Sequence, residues 1–205
     1  MRHLRLLSFA ALALLPFLST SCGPSVDKHN KMVVSVRDQK MLLVKDGKPV
    51  KAYPVSTSKF GLGSGTGTKR TPLGRHVVAK KIGGGARPGT VFKSRRPTGE
   101  VVRPNSPGRD PIVSRILWLS GRESHNRSTY GRCVYIHGTA AERNIGRPAS
   151  YGCIRMKSSH VIDLYKRVGV GAEVRIIRGS LDTLPAGKAY YARWGGRDKA
   201  TATRW

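Results

Sequence analysis

The sequence predicts a mainly β domain with one short helix late in the chain. Three observations carry that prediction. Short apolar runs recur between polar turns from Met32 onward. Asp46-Gly47 sits between Lys45 and Lys48, a strong signal for a tight two-residue hairpin turn. Only the stretch opened by Ser158-Ser159 repeats apolar residues at helical spacing, with Val161, Ile162, Tyr165 and Val168 on one face and Gly169 at its end.

The chain has 205 residues, enough for one well-buried domain plus tails. Its start reads as a signal peptide over 1–21. Arg2, His3 and Arg5 give a positive beginning, Leu6 to Leu18 is an apolar run too short to span a bilayer, and small residues precede Cys22. Cleavage just before Cys22 exposes it for lipid attachment, as in bacterial lipoproteins, which this segment resembles. An ordinary cleavage after Ser21 is the alternative. Residues 22–30 read as a polar tether.

Strands are expected at Met32–Val36, Met41–Val44 and Val50–Val55, forming an antiparallel meander. Ser56 to Pro72 is rich in Gly, Ser and Thr and reads as a flexible connection. Its Gly61–Lys69 stretch is not a phosphate loop, because Thr68 stands where a Walker loop needs Gly and Thr66 where a dinucleotide fingerprint needs Gly. Arg75 to Ile82 is a strand. Gly83 to Pro111 reads as a long irregular insertion. Ile112–Leu119, Cys133–His137 and Glu173–Ile177 are further strands. The basic segment 180–205 is expected to be a disordered tail.

Lys plus Arg is 38 against 11 Asp plus Glu, a net charge of +27. Such a surface attracts polyanions. On an exported chain these are anionic wall polymers, lipid head groups or carboxylate-bearing peptidoglycan. No arginine helix or aromatic-interleaved motif supports nucleic-acid binding, so nucleic acid is not an expected partner.

The chemistry gathers in Tyr135-Ile136-His137-Gly138 and Ser150-Tyr151-Gly152-Cys153-Ile154-Arg155-Met156. Strand alternation puts Cys133, Tyr135 and His137 on one face. A thiol needs a base to become a nucleophile at neutral pH, and His137 at a strand end supplies one for Cys153. Gly152 permits a turn whose N–H groups, from Tyr151, Gly152 and Cys153, can hold an oxyanion. Arg155 can hold a substrate carboxylate in two-pronged fashion, and Ser150 and Tyr135 flank the site. A disulfide between Cys133 and Cys153 competes with catalysis. Four strand residues place Cys133 roughly 13 Å from His137, beyond the roughly 7 Å a bridge allows. Cys133 is therefore expected as a buried free thiol.

These segments resemble the L,D-transpeptidase (YkuD-like) family of bacterial wall enzymes. Its His-Gly, spacer and Ser-His-Gly-Cys-Ile/Val-Arg/Asn hallmark is filled from His137 to Met156, with Tyr151 in place of the usual His. Tyr53-Pro54-Val55-Ser56-Thr57-Ser58 and Thr71-Pro72-Leu73-Gly74 resemble the family's upstream stretches. The resemblance implies a single L,D-transpeptidase-like β-sandwich domain over 31–179. It also implies cysteine-dependent acyl transfer on peptidoglycan stem peptides, with Cys153 as nucleophile, His137 as acid and base, the backbone of Gly138 orienting His137, and no metal or cofactor. A non-catalytic, basic, wall-binding lipoprotein is the alternative.

Overall fold

The computed structural model describes residues 25–202. The expected signal peptide at 1–21 and the lipidation at Cys22 lie outside the described residues. Part of the expected tether is fixed rather than free. The Asp27 carboxylate accepts the Gly169 N–H at 2.6 Å, and the Asp27 N–H donates to the Val170 carbonyl at 2.8 Å.

Strands dominate, as expected. The meander forms β1 (Asn30–Ser35), β2 (Lys40–Lys45) and β3 (Lys48–Pro54). β4 (Gly74–Ile82) and β7 (Ile112–Gly121) pair antiparallel, and between them the expected irregular insertion instead folds a hairpin, β5 (Thr90–Lys93) and β6 (Arg96–Val101). Its turn residues Ser94 and Arg95 take left-handed backbone without glycine, which hid the hairpin from turn chemistry. β8 (Tyr135–Thr139), β9 (Ile154–Met156) and β10 (Glu173–Ile177) complete the strands.

All ten strands belong to one mixed sheet. β1 pairs with β10, β10 with β4, β4 with β7, β7 with β8 and β8 with β9. The far edge then meets the near one. Ser56, just past β3, exchanges backbone hydrogen bonds with Arg155 of β9 at 3.0 and 2.9 Å. The sheet therefore closes around a core that takes Met32, Val34, Met41, Leu43, Tyr53, Leu117, Ile136 and Ile154 from six of its strands.

Helix α1 (Ser158–Arg167) fills this core with Val161 and Leu164. Its buried face runs through Val161, Leu164 and Val168; Ile162 is only half-buried. No side chain of its own N-cap residue caps the helix; instead the Glu142 carboxylate accepts the Ser158 N–H at 2.7 Å. At the other end Lys81 Nζ donates to the carbonyls of Tyr165 and Val168 at 2.8 and 2.6 Å, placing positive charge where helix carbonyls are unpaired.

The segment expected to be disordered after 179 is a helix, α2 (Pro185–Ala202). Tyr190 is 7% exposed and packs with Leu181 on Val33, Leu42 and Val44, the outward side chains of β1 and β2. Those strands are thus covered on both faces, which is why their sequences are continuously apolar rather than alternating. Deleting residues 181–205 uncovers that face. The expected cost is roughly 3–5 kcal/mol, or about 10 °C in Tm, read by thermal melting; an unchanged melt would mean the helix covers nothing that matters.

Candidate active site

β9 is three residues long, and its parallel register against β8 builds the site. Ile136 lies opposite Ile154 and His137 opposite Arg155. Ile136, Ile154 and Met156 point into the core. The alternate residues Tyr135, His137, Cys153 and Arg155 therefore share the other face. Cys133 does not lie in the strand. Its φ of +55° turns the chain just before β8.

The register corrects the expected position of the nucleophile. Cys153 sits beside Tyr135, not beside His137. Its sulfur accepts the Tyr135 N–H at 3.4 Å, and its thiol donates to the Cys133 carbonyl at 3.5 Å. Cys133 is thus a close neighbour, half-buried rather than buried, and both cysteines are free thiols. The distance argument against a bridge therefore rested on the wrong neighbour.

His137 is buried, and its Nδ1 lies 2.8 Å from the Gly138 carbonyl. A carbonyl only accepts, so Nδ1 carries the proton and Nε2 offers its lone pair. Among the described residues the buried ring nitrogens without a partner are His76 Nε2 and His160 Nδ1, so Nε2 of His137 retains access to the site. Gly138 is required by close packing: a Cβ there would meet the Val113 carbonyl oxygen at 2.5 Å. Val113 faces Gly138 in the β7–β8 register, next to an irregularity between Val113 and Ile116.

The Cys153 turn is held from below. Ser150, fully buried, donates from Oγ to the Cys153 carbonyl at 2.6 Å and accepts the Gly152 N–H at 3.2 Å. Gly152 takes φ +119°, open only to glycine without strain. Thr71 Oγ1 donates to the Gly152 carbonyl at 3.1 Å. The segment expected to be a flexible connection therefore carries a buried support, formed by Ser56, Thr57, Ser58 and Thr71. The tip of the β5–β6 hairpin forms a wall. Arg95 lies 4.9 Å from the Trp118 ring centre and donates to Cys133 Sγ at 3.7 Å.

Arg155, expected to hold a substrate carboxylate, already holds one from this chain. Its guanidinium pairs with Asp110 at 2.7 Å and donates to the Ala149 carbonyl at 3.2 Å, and its side chain is 13% exposed. Asp110 also accepts from Thr139 Oγ1 and from the Ala141 N–H. Sequence spacing offered no sign of Asp110, which sits at the end of the arginine-rich insertion. Tyr135 is buried edge-on to Trp118 at 5.5 Å.

Burial sets the protonation of the pair. It pushes the Cys153 thiol up to about 11, against the pull of the Tyr135 N–H and of Arg155. It pushes His137 down to about 4, with the Gly138 carbonyl opposing. At neutral pH the resting site holds a thiol and a neutral imidazole, so an accessible general base stands ready. Among the described residues no three His, Cys, Asp or Glu side chains gather as metal ligands.

The L,D-transpeptidase catalytic domain (YkuD) family model matches residues 29–176. The chain is 27% identical to YqjB of Bacillus subtilis (strain 168), whose own assignment as an L,D-transpeptidase is provisional, over 71% of this chain and 69% of that protein. Among solved structures, similarity extends to an L,D-transpeptidase from Mycobacterium smegmatis, at 20% identity and a TM-score of 0.48, covering 73% of this chain and 58% of that one. It extends also to L,D-transpeptidase 3 from Mycobacterium tuberculosis in complex with a faropenem-derived adduct, at 17% identity and a TM-score of 0.47, covering 72% of this chain and 60% of that one. The chain thus spans less than two thirds of those structures.

The protonation state makes a direct prediction. A buried thiol with a raised pKa is protonated below it, so iodoacetamide should modify Cys153 roughly a hundredfold more slowly at pH 7–8 than an ordinary cysteine. The rate should keep rising toward pH 11. Mass spectrometry of the Cys22→Ser/Cys133→Ser protein follows Cys153 alone; rapid, pH-independent labelling at neutral pH would instead show a preformed thiolate.

Proposed function

The chain belongs to the L,D-transpeptidase catalytic domain family, and from that premise we propose that it transfers acyl groups on peptidoglycan stem peptides through Cys153. The observation that carries the reading is the common face of β8 and β9. It brings a free thiol and a base with an open lone pair onto adjacent strands.

In this reading the Cys153 thiol leaves the Cys133 carbonyl by rotation about χ1 and turns toward His137. The two residues lie on the same face of the β8–β9 pairing, with Cys153 beside Tyr135, two residues before His137. Nε2 of His137 takes the thiol proton as the sulfur attacks the carbonyl of the diamino acid in the donor stem. The Gly152 N–H is engaged by Ser150, which leaves the N–H groups of Tyr151 and Cys153 for the oxyanion. The C–N bond to the terminal D-alanine breaks, its amine takes the proton from His137, and a thioester remains. A second amine then attacks the thioester and the thiol is regenerated; attack by water gives carboxypeptidation instead. The Gly138 carbonyl holds the imidazole throughout, and the ion pair of Arg155 with Asp110 fixes β9 beside it.

The same reading places the protein outside the cytoplasm, tied to a membrane through Cys22. The apolar run Leu6–Leu18 before that cysteine supports this. Changing Cys22 to Ala should move the protein from the membrane to the soluble fraction and remove a lipid-sized mass increment; unchanged partitioning would rule out the anchor.

Wall material treated with purified protein should yield new crosslinked or trimmed muropeptides by mass analysis. Cys153→Ala should abolish them, and His137→Ala should slow their formation by about 10²–10⁴. A non-catalytic wall-binding role, favoured by the +27 charge, predicts instead no new muropeptides and wall binding equal in wild type and Cys153→Ala.

A further inference from the structure

Two ammonium groups flank one exposed phenol at the mouth of the site. Lys59 Nζ lies 4.7 Å and Lys69 Nζ 5.6 Å from the ring centre of Tyr151. Lys59 also donates to the Tyr151 oxygen at 3.2 Å. Neither lysine has a carboxylate within ion-pair distance among the described residues. Like charges gathered this way repel, and a bound anion would relieve the repulsion.

The phenol is prepared for the same ligand. Its oxygen accepts from Lys59, so its own O–H is left for an outside acceptor. The hydrogen bond from Lys59 lowers its pKa and makes that O–H a stronger donor. Tyr151 is 53% exposed and Phe60, 5.5 Å away ring to ring, is 44% exposed, giving an apolar floor beside three donors. This cluster is built on the Cys153 turn itself, two residues from the nucleophile. Arg155 is held by Asp110, whereas the two lysines beside Tyr151 have no such carboxylate among the described residues.

Building on the acyl-transfer reading, we propose that Lys59, Lys69 and Tyr151 form a carboxylate subsite. It selects stem peptides that carry a free carboxylate outside the scissile bond over the same peptides with that group as a carboxamide.

The test uses matched synthetic donor peptides differing only in that carboxylate or carboxamide. Wild type should favour the carboxylate form by about tenfold in kcat/KM, an advantage that shrinks as salt is raised. In the Lys59→Gln/Lys69→Gln protein, with folding checked by its melting curve, the ratio should fall to about one, and Tyr151→Phe should lose part of it. Equal use of both peptides by wild type, or a ratio unmoved in the double variant, would overturn the proposal. Calorimetric binding of both peptides to Cys153→Ala gives a readout independent of turnover. If wild type turns over neither peptide, the acyl-transfer reading falls, while a tenfold carboxylate preference in binding that disappears with the two lysines still upholds the subsite, and equal affinities reject it.

Discussion

The parallel pairing of β9 with β8 is the constraint on which the rest of the site depends. It is short, spanning Ile154–Met156 against Ile136–Gly138. Nothing in three residues would hold such a strand alone. It is held because its free edge is closed by Ser56, because Ile154 and Met156 are buried in the core, and because α1 follows within two residues and packs on the same core. The closure of the sheet and the placement of the thiol are therefore one event. A slip of one residue would turn Cys153 into the core and Ile154 out of it.

Burial is the second theme, and it acts on both reacting groups in the same sense. A low-dielectric surrounding disfavours charge, so it raises the thiol and lowers the imidazole. The resting pair is consequently neutral, with the imidazole tautomer fixed by the Gly138 carbonyl. The sulfur is protonated in this state and hydrogen-bonded to the Tyr135 N–H and the Cys133 carbonyl. The cation of Arg155 is near, but its charge is met by Asp110.

The few acidic side chains of this basic chain do structural work. Asp27 and Glu142 bind backbone N–H groups at the two ends of α1, Asp110 holds β9 and the chain after β8, and Asp163 joins Lys51 and Tyr53 of β3 to α1. Glu123 accepts the Arg75 N–H beside Gly74. With these carboxylates committed elsewhere, Lys59 and Lys69 are left without carboxylate partners among the described residues. The surplus charge is thus organised by what the fold consumes, not only by what the composition supplies.

The sequence by itself determined the β-rich class, most strands and the helix after the cysteine, and it singled out Cys153, His137 and Gly138, whose carbonyl meets the His137 ring. These are local signals: apolar period, turn residues, and a motif with its spacing. It misjudged what depends on partners distant in the chain. The hairpin at Thr90–Val101 turns on non-glycine left-handed residues, and the C-terminal helix is stabilised by a sheet face some 150 residues upstream, signalled only by the unbroken apolar runs of β1 and β2. Only the tertiary structure decided that Cys153 lies beside Tyr135, that Asp110 occupies Arg155, and that Lys59, Lys69 and Phe60 gather around Tyr151. Register across strands and the neighbours of a side chain follow from how the sheet closes, and no spacing along the chain encodes that.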